Sequence, residues 1–286
     1  MPDESRPSFF ARYAREMTAV VLGPLAVWIV GWSHPWVFNG AIALIAILAL
    51  HEFLVLGRKK GYTIPVSLCI LIALFIIAAF VLEEVSVEVG MFTTLLVIPA
   101  SYVFSKSDLD EALPSSAVAV MGTMYVGMLA GCLVRLRDDF PDGPNLVFFL
   151  LLVVWLGDAG AYYTGKRFGR TKLSPRISPK KTVEGLIGGV MMSIITAVVI
   201  HLTFFPEFPL LAAIVMGAVL SVAGVIGDLA ESMWKRSAAV KDSGSLIPGH
   251  GGFLDRFDSI LFIAPILYVY WAFTKHGAET LNIITG

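Results

Sequence analysis

The strongest constraint on this chain is the recurrence of apolar stretches about as long as a bilayer is thick. Nine of them lie at 17–32, 37–56, 64–82, 89–104, 115–134, 145–164, 183–205, 210–229 and 257–273. A spanning helix needs about 20 mostly apolar residues. Hydrocarbon offers no partner to backbone N–H and C=O groups, so each stretch must close its own hydrogen bonds as a helix. Composition points the same way. The 286 residues are 57% hydrophobic and 15% charged, with a mean hydropathy of +0.79, whereas a soluble domain carries about 25% charged residues. The expected fold is all-α and polytopic, with about nine transmembrane helices. A soluble enzyme with a large core is excluded. The fourth stretch is the weakest, being short and containing Pro99. The first lacks a small-residue cleavage site after its apolar run and reads as a retained helix. Cys69 and Cys132 both sit in apolar stretches and read as lipid- or helix-facing residues, not as a disulfide or zinc site. No internal repeat stands out.

Basic residues orient the spans. If the N-terminus is cytoplasmic, Arg6, Arg12 and Arg15 lie inside, as do Arg58, Lys59, Lys60 and Lys106. The loop 165–182 adds seven basic residues, and the loop 230–256 adds Lys235, Arg236, Lys241 and Arg256. Of 21 Lys and Arg, only Arg135, Arg137 and Lys275 remain outside. This is the asymmetry of a cytoplasmic N-terminus. It groups the chain into three N-terminal spans (1–88), two middle spans (89–144) and four C-terminal spans (145–286), the last group carrying the catalytic residues. The ionisable residues of that group then gather at the cytoplasmic face. Net charge is −1, so overall charge selects no partner, and no nucleic acid is expected.

The densest chemistry lies in GDLAESMWKRSAAVKDSGSLIPGHGGFLDRFD, residues 227–258. Charges beside a membrane segment are costly and mark a candidate functional site. Asp228, Glu231, Ser232 and Lys235 follow i, i+3, i+4, i+7 spacing and share one face if the helix continues through them. Asp255 and Asp258 begin the last apolar stretch, where they could cap it or act as ligands. Gly249, Gly251 and Gly252 permit close backbone approach. His250 could donate to phosphate or serve only as a structural hydrogen-bonder. Carboxylates facing lysines suit a divalent metal that holds a polyphosphate. The bland alternative is a charged, solvated loop.

Ser232, Lys235, Arg236, Lys241, Asp242, Gly244, Pro248, His250, Gly251, Gly252, Asp255, Arg256 and Asp258 follow the order of a long C-terminal motif. In it the chain resembles the phosphatidate cytidylyltransferases, the CDP-diacylglycerol synthases. A second stretch, 155–185, carries Asp158, a Tyr and Gly-Lys region, Lys172, and then Ser178, Pro179, Lys180, Lys181 and Thr182. It too is similar to that family. The resemblance implies transfer of the cytidylyl group of CTP to phosphatidate, giving CDP-diacylglycerol and pyrophosphate.

On this reading Asp228, Asp255 and Asp258 hold Mg²⁺, with a second cation left open. Ser232, Lys235 and Lys241 join them as catalytic residues. Asp158, Lys172, Ser178, Lys180, Lys181, Thr182, Arg236, His250, Gly251, Gly252 and Arg256 bind substrate. The start of the seventh apolar segment offers free N–H groups to phosphate; topology alone is the bland account of its basic loop. His51 and Glu52 read as an interfacial pair wetted by the head-group region, with a remote part of the lipid site as the alternative. The expected partners are CTP, phosphatidate and the bilayer, with a homodimer left open. The expected location is the inner (plasma) membrane, with the active site facing the cytoplasm. Two other readings stay open: a cytidylyltransferase for another lipid phosphate, and a transporter with a charged cytoplasmic gate.

Overall fold

A computed structural model describes residues 20, 23–82, 84–105, 108–244 and 251–285, the stretch 275–285 by its backbone alone. Helices dominate. They are α1 (Pro35–Lys59), α2 (Val66–Val81), α3 (Val87–Val103), α4 (Leu109–Asp138), α5 (Gly143–Phe168), α6 (Val183–Thr203), α7 (Leu210–Ser237) and α8 (Leu254–Thr285). Residues 23–31 are also helical. Strands β1 (Lys172–Ser174) and β2 (Ser178–Thr182) lie between α5 and α6.

Among the described residues, six helices are long and apolar enough to cross a membrane: α1, α4, α5, α6, α7 and the Leu254–Thr274 part of α8. The apolar helices α2 and α3 are shorter. Several helices outrun their apolar stretches. α7 continues from the apolar run through Asp228 to Ser237, and α8 begins at Leu254, ahead of its run. Hydropathy marks where side chains leave lipid; hydrogen bonding marks where the helix stops. Glu, Lys and Arg are good helix formers and extend a spanning helix into the polar zone.

The chain divides into two compact units. The first gathers the described residues up to Ala79 with Ser86–Gly127 and Trp234–Phe257. Phe38, Leu50, Leu54, Ile76 and Ile98 are fully buried in it. Trp234 meets Phe53 and Tyr125 edge-on, each at 5.1 Å between ring centroids. The second unit comprises Phe80–Val85, Met128–Met233 and the residues from Asp258 onward. There α5 and α6 approach backbone to backbone. A Cβ at Gly160 would stand 2.6 Å from Met192 Cβ, and one at Gly188 would stand 2.2 Å from Thr164 Oγ1. Such small-residue seams replace hydrophobic driving force where lipid is as apolar as the side chains. Ser193 Oγ crosses the seam to donate to Val153 O at 3.0 Å. Phe149, Phe205, Phe208 and Trp271 fill an aromatic cluster in the same unit. In both units large apolar side chains stand exposed, among them Leu96 and Leu211, as a lipid-facing surface requires.

Candidate active site

In the second unit, α7 and α8 touch at Gly227. A Cβ there would lie 2.7 Å from Phe262 Cβ and 3.2 Å from Asp258 O. This close approach sets Asp258 against the next residue of α7, Asp228. Glu231, one turn further along α7, completes the group. One ligand oxygen from each of Asp228, Glu231 and Asp258 lies within 4.8 Å of the other two. Glu231 and Asp258 are buried, at 1% and 7% exposure. All three donors are hard carboxylate oxygens, the set that Mg²⁺ takes while keeping several of its waters. The residues therefore fit a divalent cation.

A cationic side chain reaches this group. Lys181 Nζ lies 2.6 Å from Asp228 Oδ2. Ser232 Oγ donates to the other oxygen, Oδ1, at 3.2 Å. Lys181 arrives on an antiparallel hairpin in which Lys172 pairs with Thr182 and Ser174 with Ser178. Glu184, in the first turn of α6, fastens the hairpin by accepting from Arg170 N at 3.0 Å and Thr171 N at 3.1 Å. Side chains alternate along a strand, so Lys180 and Lys181 leave β2 on opposite sides, and Lys180 is exposed. The two lysines adjacent in sequence do not share a position. The α6 start also differs from expectation. Val183 N donates to Thr171 O at 2.9 Å, and Gly185 N donates to the Thr182 hydroxyl at 3.1 Å. Thr182 is thus a buried helix cap. Two of the N–H groups expected to be open to phosphate are already used.

Beside this group a narrow crevice, with room for little more than a water molecule, is lined by Asp158, Ser193, Ser221 and Ser259 among apolar side chains. Asp158, within the apolar helix α5, lies at this crevice, whose lining is mostly apolar. Lys172 lies exposed on β1.

The first unit holds the other charged group. α7 ends in a Schellman turn, with Val240 N donating to Lys235 O and Ala239 N to Arg236 O, each at 3.0 Å. Ala239 adopts a φ of +56° there, where glycine is usual. Lys235 is ion-paired with Asp255 Oδ1, and both side chains are only 10% exposed. Asp255 Oδ2 accepts from Ser243 N at 3.0 Å, Ser243 Oγ at 2.8 Å and Gly252 N at 2.9 Å. Asp255 thus has both oxygens engaged, and the carboxylate grouped with Asp228 and Asp258 is Glu231. Glu52 also differs from expectation: it is 3% exposed, while His51 is exposed. Neighbours on a helix point about 100° apart, so the wetted pair of the sequence reading is split. Arg236, Lys241 and Arg256 are exposed, and Gly251 has a φ of +81°. His250 lies outside the described residues.

The model of the cytidylyltransferase family matches residues 13–274. The chain belongs to the cytidylyltransferase family. Relatives in it include a phosphatidate cytidylyltransferase of Bacillus subtilis (strain 168), 34% identical over 238 residues, covering 81% of this chain and 87% of the relative. Proteins of the same description from Staphylococcus saprophyticus and Staphylococcus aureus (strain COL) are 37% and 38% identical over 230 and 232 residues. Each match covers 79% of this chain and 86% of the relative. The cytidylyltransferase match takes in both units and every carboxylate named above. Two residues escaped the sequence reading of the site. Glu231 stood on the proposed helical face without a role, so its spacing was the available signal. Glu52 stood out only as half of a charged pair with His51, and its hydrogen-bond partners lie 191 and 202 residues away.

Proposed function

We propose that this protein transfers the cytidylyl group of CTP to phosphatidate, giving CDP-diacylglycerol and pyrophosphate for phospholipid synthesis. The observation that carries the reading is the convergence of Asp228, Glu231 and Asp258 with Lys181 beside them. The named relatives, which match over about four-fifths of the chain, support the substrates. A phosphatidate oxygen attacks the α-phosphorus of CTP. The new P–O bond forms as the α–β bridging bond breaks, and pyrophosphate leaves with the electron pair. The attacking oxygen is already anionic near neutral pH, so a strong base is not needed. The problem is to bring two polyanions together and neutralise the charge on the leaving group.

Asp228, Glu231 and Asp258 would hold Mg²⁺. Bound there, it would supply charge neutralisation at the phosphates. Asp255, expected from sequence as a third ligand, is instead assigned to holding Lys235 and the backbone around Ser243. A second cation beside the first would show as a second step in a Mg²⁺ titration. Lys181 is shared between Asp228 and the nucleotide phosphates, and Ser232 orients the Asp228 carboxylate. Lys172, Lys180, Arg236, Lys241 and Arg256 are assigned to phosphate contact, with Ser178 and Thr182 shaping the hairpin that presents Lys181. His250, Gly251 and Gly252 keep the phosphate-facing role that their motif implies. Asp158 is assigned to the polar part of the lipid substrate.

The same reading has the chain cross the membrane about nine times, with its N-terminus and active site in the cytoplasm. The distribution of basic residues supports it, as do the apolar α2 and α3. Bacterial relatives favour the plasma membrane. A homodimer is compatible with the exposed apolar side chains. The test is turnover by purified protein with labelled CTP and phosphatidate, with and without Mg²⁺. Mg²⁺-dependent release of pyrophosphate with formation of CDP-diacylglycerol is the expected result. Absence of both products, or equal use of a non-phosphorylated lipid, overturns it.

A further inference from the structure

Glu52 sits in the middle of the first unit and has a role that nothing near it in the sequence announces. Its side chain is buried, at 3% exposure. Oε2 accepts from Ser243 Oγ at 3.0 Å and from Leu254 N at 2.9 Å. Ser243 follows the end of α7, and Leu254 is the first residue of α8. One carboxylate oxygen of α1 therefore holds both ends of the connection between the two helices.

The connection is also built around that carboxylate. A Cβ at Gly244 would lie 2.2 Å from Glu52 Oε1, and one at Gly252 would lie 2.2 Å from Oε2. A side chain at either position would push the Glu52 carboxylate aside, so the backbone closes on the carboxylate from two sides. From there the contact passes on through Ser243. The Ser243 hydroxyl lies between Glu52 Oε2 at 3.0 Å and Asp255 Oδ2 at 2.8 Å, and Asp255 pairs with Lys235. A hydroxyl has one proton to donate, so a single proton serves two carboxylates. Oε1 of Glu52 is buried and has no hydrogen-bond partner among the described residues.

We infer that Glu52 is a positioning residue: by fixing Ser243 and Leu254 it sets the α7–α8 connection and, through Ser243, the Lys235–Asp255 pair. It acts through its accepting oxygen and touches no substrate. The inference rests on the proposed cytidylyl transfer for its kinetic readout only.

The experiment compares Glu52→Ala, Glu52→Gln and Ser243→Ala with the unaltered protein in lipid nanodiscs. It reads kcat, both KM values and amide exchange along the whole chain. Gln keeps an acceptor where Oε2 stands, whereas Ala removes it. In Glu52→Ala, kcat should fall about 10- to 100-fold, the effect of leaving buried donors unpaired. KM for CTP and phosphatidate should stay within about threefold, because no binding contact is lost. Glu52→Gln should restore kcat to within about fivefold. Exchange at the Leu254 amide should rise in Glu52→Ala, while the middle of α8 stays protected. If Glu52→Ala does not fold, Ser243→Ala carries the test, with a fall in kcat at unchanged KM expected.

Near-normal kcat in Glu52→Ala, or in Ser243→Ala when that variant carries the test, overturns the inference. So does a Glu52→Gln variant as inactive as Glu52→Ala. If the unaltered protein turns over no CTP, the functional reading fails instead. The exchange at Leu254 then still decides the clamp: unchanged protection in Glu52→Ala overturns it.

Discussion

Lys180 and Lys181 are adjacent and chemically identical, so replacing each by alanine isolates position from charge. Lys181 Nζ stands 2.6 Å from Asp228 Oδ2, with the two side chains 25% and 37% exposed. A hydrogen bond between charged groups contributes about 1.5–3 kcal/mol, and partial exposure draws this pair toward the lower part of that range. A loss of about 1.5–2 kcal/mol corresponds to about a 10- to 30-fold fall in kcat/KM. Lys180 leaves the strand on the other side and is exposed, where solvent screens any phosphate contact it makes, so its loss should cost about threefold or less. A second signature separates the two variants. Removing the Lys181 charge strips a cation from beside three carboxylates, so half-saturation by Mg²⁺ should move to lower concentration in Lys181→Ala and stay put in Lys180→Ala. The assay is incorporation of labelled CTP into lipid at saturating phosphatidate, repeated across a Mg²⁺ series. Equal losses in the two variants, or the larger loss at Lys180, would refute the argument from strand alternation. An unchanged Mg²⁺ midpoint in Lys181→Ala would separate that lysine from the carboxylates.

Asp228→Asn, Glu231→Gln and Asp258→Asn should each lower turnover about 100-fold or more, with helical circular dichroism retained. Near-normal activity in one variant removes that residue from the cation-binding set. Ala239→Gly should stabilise the protein by about 1 kcal/mol by relieving a left-handed alanine, seen as a higher midpoint of thermal unfolding in detergent. Cysteines placed by Lys172→Cys and Lys241→Cys should react with impermeant reagent from the same side of oriented vesicles, and Lys275→Cys from the other.

The helices were legible because lipid imposes one solution on any apolar stretch of sufficient length, and 183–205 and α6 differ only at one end. Their polar ends were less legible, since a helix such as α7 runs beyond its apolar run into Glu231 and Lys235. The hairpin was not visible. Its strand β2 reads Ser-Pro-Lys-Lys-Thr, a polar run containing Pro179, and the hairpin is held by Glu184, whose partner amides at Arg170 and Thr171 lie 14 and 13 residues back. In the site, Asp228 and Asp258 could be picked out because helical spacing and apolar surroundings single them out. The choice of Glu231 over Asp255 as third carboxylate depended on who else claims the oxygens. Asp255 is claimed by Lys235, Ser243 and Gly252, and no sequence pattern records such competition. Glu52 was hidden for a simpler reason: its partners come from the far end of the chain.

The contact at Gly227 bears on how such an enzyme can be altered. With Phe262 Cβ 2.7 Å from where a methyl would be, even alanine must wedge α7 away from α8, and the carboxylates on the two helices separate with them. A methyl group placed there does at a distance what Asp258→Asn does directly. A screen for variants accepting new lipid phosphates should therefore come back with Gly227 untouched. Its useful hits should fall on crevice-lining side chains away from both the Gly227 contact and the α5–α6 seam, such as Ser221.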